Sequence, residues 1–168
     1  DFQRQPVQHF HLLLAAHASL IALPLVAALA VSVAVAGDPL AIGAAIPDAG
    51  VKMMNVDGKE LSIAEIEKPA GTLVVFTCNH CPFAKAWESR IVALGNAYQA
   101  KGLGVIAINP NDPKVAPDDS LENMQVRAKE KGMQFPYVVD GTSGVARAFG
   151  AKKTPEAFVF DKNGKLVY

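Results

Sequence analysis

Apolar and polar positions divide the chain into one long apolar run near the start and a body of short apolar runs. Residues 12–36 contain no Asp, Glu, Lys or Arg, and Ala34 and Ala36 form the A-x-A pattern that a signal peptidase recognises. We therefore expect residues 1–36 to be a secretory signal peptide and residues 37–168 to be the mature domain. A run of this length could also cross a hydrocarbon core of about 30 Å, so residues 12–36 are alternatively an N-terminal membrane anchor. Both interpretations place the body in the periplasm or otherwise outside the cytoplasm.

The short apolar runs of the body predict alternating strands and helices. Asp57-Gly58 indicates a β-hairpin near the start, and two apolar runs at 73–76 and 105–108 predict buried strands. A helical pattern lies between these two runs, so we expect a parallel, right-handed βαβ unit. The other predicted elements are a helical turn at 63–66, a helix from Leu121 to Gly132, a strand at 135–140, a helix at 145–149, and strands at 157–160 and 165–168. Because the last predicted strand begins at the end of the sequence, we expect a C-terminal end that is truncated.

Helical spacing also predicts which side chains face the core. Apolar residues recur at steps of four, four, three and four after the second cysteine, which predicts an amphipathic helix with a buried Trp87. Asp119 followed by Glu122 resembles a capping box, so we expect Asp119 to cap the next helix. The predicted buried face of the helix that follows the second cysteine consists of Phe83, Trp87, Ile91, Leu94 and Tyr98.

Charge and cysteine content narrow the function classes. The 168 residues carry 16 Lys and Arg against 16 Asp and Glu, so no basic excess favours nucleic-acid binding. Two cysteines are too few for a disulfide scaffold. If the two cysteines have a functional role, they act together as one reactive or disulfide-bridged pair.

Cys78-x-x-Cys81 lies where a predicted buried strand meets a predicted helix, and it is the strongest chemical signal in the chain. A helix N-terminus stabilises a thiolate, so we expect Cys78 to be an exposed nucleophile with a lowered pKa and Cys81 to be the buried resolving thiol. His80 and Thr77 are expected to tune the thiolate, with His80 making the disulfide more oxidising. Pro82 fits the first turn of the helix.

Structural alternatives to this chemistry remain. A Cys78–Cys81 disulfide could be purely structural, although it closes a very small loop and adds little chain-entropy stabilisation. Zinc usually takes four ligands, and beyond residue 36 the sequence offers no His or Cys other than Cys78, His80 and Cys81. We therefore expect no metal and no cofactor.

The segments TCNHCPF, IPDAGVKMMNVDGKELSI and FPYVVDGTSGVARAFGAKKTPEAFVFDKNGKLVY resemble the thioredoxin-fold redoxin group. The likeness is to its AhpC/TSA and periplasmic thioredoxin-like branch, and most closely to peroxiredoxin-like proteins that carry Cys-x-x-Cys. The resemblance implies an α/β, thioredoxin-like fold, with a central mixed sheet flanked by helices and an N-terminal β-hairpin. It also implies that Thr154 and Pro155 form a cis-proline loop that faces the cysteines and binds extended substrate backbone.

The chain departs from this group at informative positions. Thioredoxins have an aromatic residue directly before the first cysteine and a buried acid six residues upstream, where this chain has Thr77 and Thr72. Proton transfer from Cys81 therefore needs another group, and Glu156 is the candidate. The Pro-x-x-x-Thr-x-x-Cys pattern of efficient peroxiredoxins matches neither cysteine.

Three functional hypotheses follow. The first is an extracytoplasmic thiol-disulfide oxidoreductase that acts on protein thiols or disulfides and is recharged by a redox-recycling partner. The second is a thiol peroxidase with antioxidant activity, which would use a peroxide and a small thiol. The third is a non-enzymatic redoxin domain that binds a partner or a metal through its cysteines. None of them involves nucleic acid, and a membrane is involved only if the leader is uncleaved.

Overall fold

The structure, a computed structural model, describes residues 39–168. These residues belong to one compact unit. The predicted signal peptide or anchor, residues 1–36, lies outside the described residues. Within residues 39–168, no helix combines the length and apolar character needed to cross a membrane.

A six-stranded mixed sheet organises the described residues. The strands are β1 (Met53–Asn55), β2 (Glu60–Leu61), β3 (Thr72–Phe76), β4 (Gly104–Asn109), β5 (Tyr137–Val139) and β6 (Glu156–Phe160). Their order in the sheet is β2-β1-β5-β4-β3-β6. The adjacent strands β5, β4 and β3 run parallel, whereas β6 pairs antiparallel with β3 and β1 pairs antiparallel with both β5 and β2. The predicted hairpin and the predicted parallel βαβ unit are both confirmed.

Helices cover both faces of the sheet, because alternate side chains of each central strand point to opposite sides. On β4, Ile106 and Ile108 enter one apolar cluster, while Val105 and Ala107 enter the other. The helices are α1 (Ile63–Ile66), α2 (Pro82–Gln99), α3 (Leu121–Lys131) and α4 (Gly144–Phe149), and a 3-10 turn spans Pro117–Asp119. The first cluster includes residues of α1 and α4, and the second includes residues of α3.

The end of the chain forms a weaker element than the strand predicted at 165–168. Within the described residues this segment makes two isolated bridges, Ala45 with Lys165 and Phe160 with Leu166. The Val167 amide also donates to the Val159 carbonyl at 2.8 Å. The last residues therefore run along part of the outer edge of β6.

The prediction of the buried face of α2 was wrong at four of its five positions, whereas Ile91 is partly buried against the second apolar cluster. Phe83 is 72% exposed and Trp87 is 50% exposed, and Leu94 and Tyr98 are exposed as well. The side of α2 that the protein buries carries Ala84, Glu88, Val92 and Gly95. The spacing alone could not show this, because a helix with small residues on a second face can pack more closely through that face.

Two contacts explain why the second face of α2 is the buried one. Gly95 lies so close to the Phe135 ring that a Cβ atom added there would fall 2.3 Å from Cε1. Glu88, one of the few buried charges, pairs with Arg127 and with Lys131 of α3, the Lys131 contact measuring 3.2 Å. The aromatic face of α2 instead borders an apolar groove together with Leu73 and Val75 of β3.

The close packing of Gly95 against Phe135 predicts that one added methyl group at position 95 destabilises the protein. Gly95→Ala should improve helix propensity by about 1 kcal/mol, yet overpacking against Phe135 typically costs ~1–3 kcal/mol. We therefore expect a lower free energy of unfolding in urea titrations. Leu94→Ala, which trims an exposed neighbour, is the control and should change stability by no more than ~0.5 kcal/mol. A stabilised Gly95→Ala variant would show that this face is not tightly packed.

Candidate active site

The two cysteines lie at the carboxyl end of a central strand. β3 ends at Phe76, Cys78 follows two residues later, and Cys81 is the N-cap residue of α2. Pro82 occupies the first turn of the helix, where its missing N–H removes no intrahelical bond. Both cysteines are free.

The Thr154-Pro155 loop contacts both sulfurs. β6 pairs antiparallel with β3, and Glu156 lies opposite Phe76, so the residues just before β6 lie beside the residues just after β3. Thr154 Oγ1 is 3.2 Å from Cys78 Sγ, and Cys81 Sγ donates to the Thr154 carbonyl at 3.4 Å. The peptide bond before Pro155 is cis. Both expectations for this loop, the cis bond and its position facing the cysteines, are confirmed.

The exposure expected of the two sulfurs is reversed. Cys78 is only 4% exposed, whereas Cys81 is partly exposed. Burial raises the pKa of the Cys78 thiol, although hydrogen bonds from Thr154 and the Cys81 amide act in the opposite direction. The backbone N–H of Ala84 is the main cause that lowers the pKa of Cys81. The reason is that α2 begins at Pro82, so its free N–H groups point towards Cys81 and not towards Cys78.

Asp119 is the functional residue that sequence reasoning misplaced. Its side chain is completely buried, and it comes from the 3-10 turn that precedes α3. Asp119 Oδ1 accepts the Asn79 amide at 2.6 Å, and Oδ2 lies 2.5 Å from His80 Nδ1. One carboxylate therefore holds both residues between the two cysteines.

Further polar contacts fix this arrangement. Asn111 Nδ2 donates to Asp119 Oδ2 at 2.8 Å, and Tyr137 donates its hydroxyl proton to Asn79 Oδ1 at 3.0 Å. Burial acts to raise the pKa of Asp119, but hydrogen bonds from Asn111, the Asn79 amide and His80 outweigh it and leave this pKa below its ordinary value. Asp119 is therefore ionised at neutral pH.

Asp119 does not cap α3 as expected. The N-cap is Ser120, whose hydroxyl accepts the Asn123 amide at 3.3 Å. Two adjacent residues of capping type, Asp119 and Ser120, stood before this helix, and a helix needs only one. That redundancy was the signal in the sequence that one of the two has another role.

Three predicted site residues remain, and each has different contacts: His80, Thr77 and Glu156. His80 bonds to Asp119, and its side chain is 47% exposed. Thr77 is buried, and its amide donates to the Ile108 carbonyl of β4 at 2.9 Å. Glu156 Oε2 accepts the amides of Lys152 at 2.7 Å and of Lys153 at 3.3 Å, so this carboxylate also organises the loop before Pro155.

One group of side chains has the donor atoms for a metal ion. Cys78 Sγ, a ring nitrogen of His80 and an Asp119 carboxylate oxygen all lie within 4.8 Å of one another. The sequence-based count of ligands missed Asp119, because 39 residues separate it from His80.

Removing the negative charge of Asp119 should loosen the Cys-x-x-Cys loop. In Asp119→Asn the side chain can no longer accept from all three donors, and an unsatisfied buried donor costs about 1–3 kcal/mol. We expect a lower free energy of unfolding in urea and faster hydrogen exchange of the Asn79 amide. Asp118→Asn, an exposed neighbour, is the matched control. Equal stability and equal exchange in the two variants would contradict this role of Asp119.

Comparison with known proteins assigns the chain to a family. A crystal structure of an uncharacterized conserved protein from Geobacillus kaustophilus is 39% identical, with a TM-score of 0.74 over 80% of this chain and 70% of that one. The thioredoxin domain of a thiol-disulfide oxidoreductase from Bacteroides vulgatus has the same fold, with a TM-score of 0.62 at 19% identity over 76% of this chain and 86% of that one. Thiol-disulfide oxidoreductase ResA from Geobacillus thermodenitrificans is 27% identical over 127 residues, which cover 76% of this chain and 67% of ResA. A second ResA, from Halalkalibacterium halodurans, is 24% identical, and the match spans 60% of its length. The sequence profile of the AhpC/TSA family matches residues 42–168, and the chain belongs to that family as a thioredoxin-fold redoxin.

Proposed function

We propose that Cys78 and Cys81 are the redox couple of this chain, a thiol-disulfide oxidoreductase. The observation that carries the proposal is that two free thiols, one at a strand end and one at a helix N-terminus, both contact Thr154. A structural disulfide would need no such loop beside it. Curated relatives that share the fold are named for the same chemistry.

The exchange needs only the two sulfurs and a partner. In the reductive direction, the Cys78 thiolate attacks a partner disulfide, which forms a mixed disulfide and releases one partner thiolate. The Cys81 thiolate then attacks Cys78 Sγ, closes the Cys78–Cys81 disulfide and releases the second partner thiolate. The chain loses two electrons and two protons, and the partner gains both. The reverse sequence oxidises a partner dithiol.

The lowered pKa of Cys81 supports Cys78 as the sulfur that bonds to the partner. When a thiolate opens a disulfide, the sulfur with the lower pKa leaves faster. Cys81 is that leaving group here, because the N-terminal amides of α2 stabilise its thiolate. An incoming thiolate therefore attacks Cys78, and microscopic reversibility gives Cys78 the same role in the reductive direction.

The burial of Cys78 sets a condition on the partner. Thr154 Oγ1 lies against Cys78 Sγ, so an incoming sulfur has to displace this hydroxyl. We propose that extended partner backbone binds along Thr154 and Pro155, which places a partner disulfide beside Cys78.

Proton transfer from Cys81 is assigned to Glu156. Its carboxylate lies one residue beyond Pro155, and Oε2 is held by two loop amides. In this proposal Oε1 takes the proton. Thr77 and His80 are assigned to tuning the Cys78 thiolate, with His80 acting through its contact with Asp119.

We place the reaction outside the cytoplasm. Residues 12–36 form an uncharged apolar run that ends in the A-x-A pattern, as in exported proteins. Disulfides persist in such compartments, which gives an exchange enzyme both its substrates and an oxidised resting state.

Replacing each cysteine separately tests the couple and the order of attack. Cys78→Ser should abolish the reduction of insulin disulfides by the reduced protein, because no sulfur is left to form the mixed disulfide. Cys81→Ser should accumulate a stable mixed disulfide with the partner, which mass spectrometry detects at Cys78. Unchanged turnover by Cys78→Ser would refute the proposed function.

Gln125→Ser is the control, because it changes an exposed side chain of α3 outside the cysteine loop and should leave turnover unchanged. A mixed disulfide that forms on Cys81 in Cys78→Ser, and not on Cys78 in Cys81→Ser, would keep the couple but reverse the order of attack.

A further inference from the structure

We propose that the reduced protein binds one divalent transition-metal ion of the zinc class through Cys78, His80 and Asp119. The donor atoms are a thiolate sulfur, an imidazole nitrogen and a carboxylate oxygen, and all three lie within 4.8 Å of one another. This mixture of soft and borderline donors is typical of zinc sites in proteins, whereas magnesium and calcium prefer oxygen ligands alone.

The charge of the cluster favours a cation. Asp119 is fully buried, and within residues 39–168 its sole ion-pair partner is His80. Ionisation of Cys78 would add a second negative charge to the same place. A bound divalent ion neutralises both charges, and this compensation stabilises the two anionic ligands together.

Hydrogen bonds already orient the carboxylate as a ligand. Asn79 donates to Oδ1, and Asn111 donates to Oδ2. Such outer contacts hold a ligand in place and raise metal affinity, often by ~10–100-fold. The cluster therefore has a preorganised ligand on its buried side.

Binding of the ion requires a small movement of His80, on the exposed side of the cluster. In a tetrahedral zinc site with bonds of about 2.0–2.2 Å, the nitrogen and oxygen ligands lie roughly 3.4 Å apart. His80 Nδ1 and Asp119 Oδ2 are 2.5 Å apart now, so the ion would replace the proton that they share and push the imidazole outwards. His80 can move because its side chain is 47% exposed, and it borders an open cleft together with Asn111 and residues 115–118. Three protein ligands leave the fourth coordination position to water.

Binding is linked to the redox state of the cysteines. Coordination forms a bond from Cys78 Sγ to the ion and releases the thiol proton to solvent. The proton displaced from His80 Nδ1 goes to Nε2 of the same ring or to solvent, and no atom changes oxidation state. The Cys78–Cys81 disulfide has no thiolate to offer, so the oxidised protein should not bind the ion. The ion in turn occupies the sulfur that the proposed exchange reaction uses, and zinc should inhibit that exchange.

Calorimetric titration of the anaerobically reduced chain with Zn²⁺, in competition with a chelator, tests the site. We expect one ion per chain. Asp119→Asn and His80→Gln should each weaken binding by at least ~10-fold, and Cys78→Ser should do the same. Asp118→Asn and Cys81→Ser should stay within about twofold of the unmodified chain, which corresponds to ~0.4 kcal/mol.

Co²⁺ gives a second readout that does not depend on the stability of any variant. The reduced, unmodified chain should show a thiolate-to-cobalt charge-transfer band, and oxidation to the disulfide should remove it. His80→Gln changes an exposed side chain, so it tests the nitrogen ligand even if Asp119→Asn folds poorly.

Two outcomes would overturn the proposal. Absence of stoichiometric Zn²⁺ binding to the reduced chain is the first. The second is binding that Cys81→Ser abolishes and that Asp119→Asn and His80→Gln leave unchanged, since this pattern indicates chelation by the dithiol alone. Neither outcome would contradict the proposed thiol-disulfide exchange, because the titration contains no exchange partner.

Discussion

The buried carboxylate of Asp119 is the constraint on which the arrangement of the site depends. A buried negative charge is costly unless hydrogen bonds and a positive partner compensate it. Here the compensation comes from the Asn79 amide and from His80, the two residues between the cysteines, and from Asn111. The Cys-x-x-Cys loop is therefore shaped by a distant residue as well as by the strand and helix that flank it.

The order of the strands explains how these groups meet. β3 carries Cys78 just beyond its carboxyl end, and its parallel neighbour β4 leads into the segment that supplies Asn111 and Asp119. On the other side, antiparallel β6 begins directly after Thr154 and Pro155. Loops from both neighbours of β3 thus converge on the cysteines, and the sheet itself provides the rigid support that an exchange site needs.

Local sequence patterns were sufficient for the elements but not for the contacts between distant residues. The apolar run at 73–76 and the Cys-x-x-Cys motif indicated a buried strand followed by a helix, and the structure has both. The face of α2 was misassigned, because close packing of Gly95 against Phe135 and pairing of Glu88 with Arg127 depend on residues of other segments. Asp119 was misassigned for the same physical reason, since its local pattern resembled a helix cap and two of its partners, Asn79 and His80, lie about 40 residues away. The relative exposure of Cys78 and Cys81 depended on the residue at which α2 begins, and element boundaries are the least predictable feature of a sequence.

Titration of the chain in glutathione redox buffers tests most directly whether Cys78 and Cys81 act as one two-electron couple. We expect a single transition in which one intramolecular disulfide forms per chain, with a potential between ~−270 mV and ~−120 mV, roughly the range of thioredoxin-fold exchange proteins. Separate glutathione adducts on the two cysteines, with no intramolecular disulfide at any buffer ratio, would contradict it.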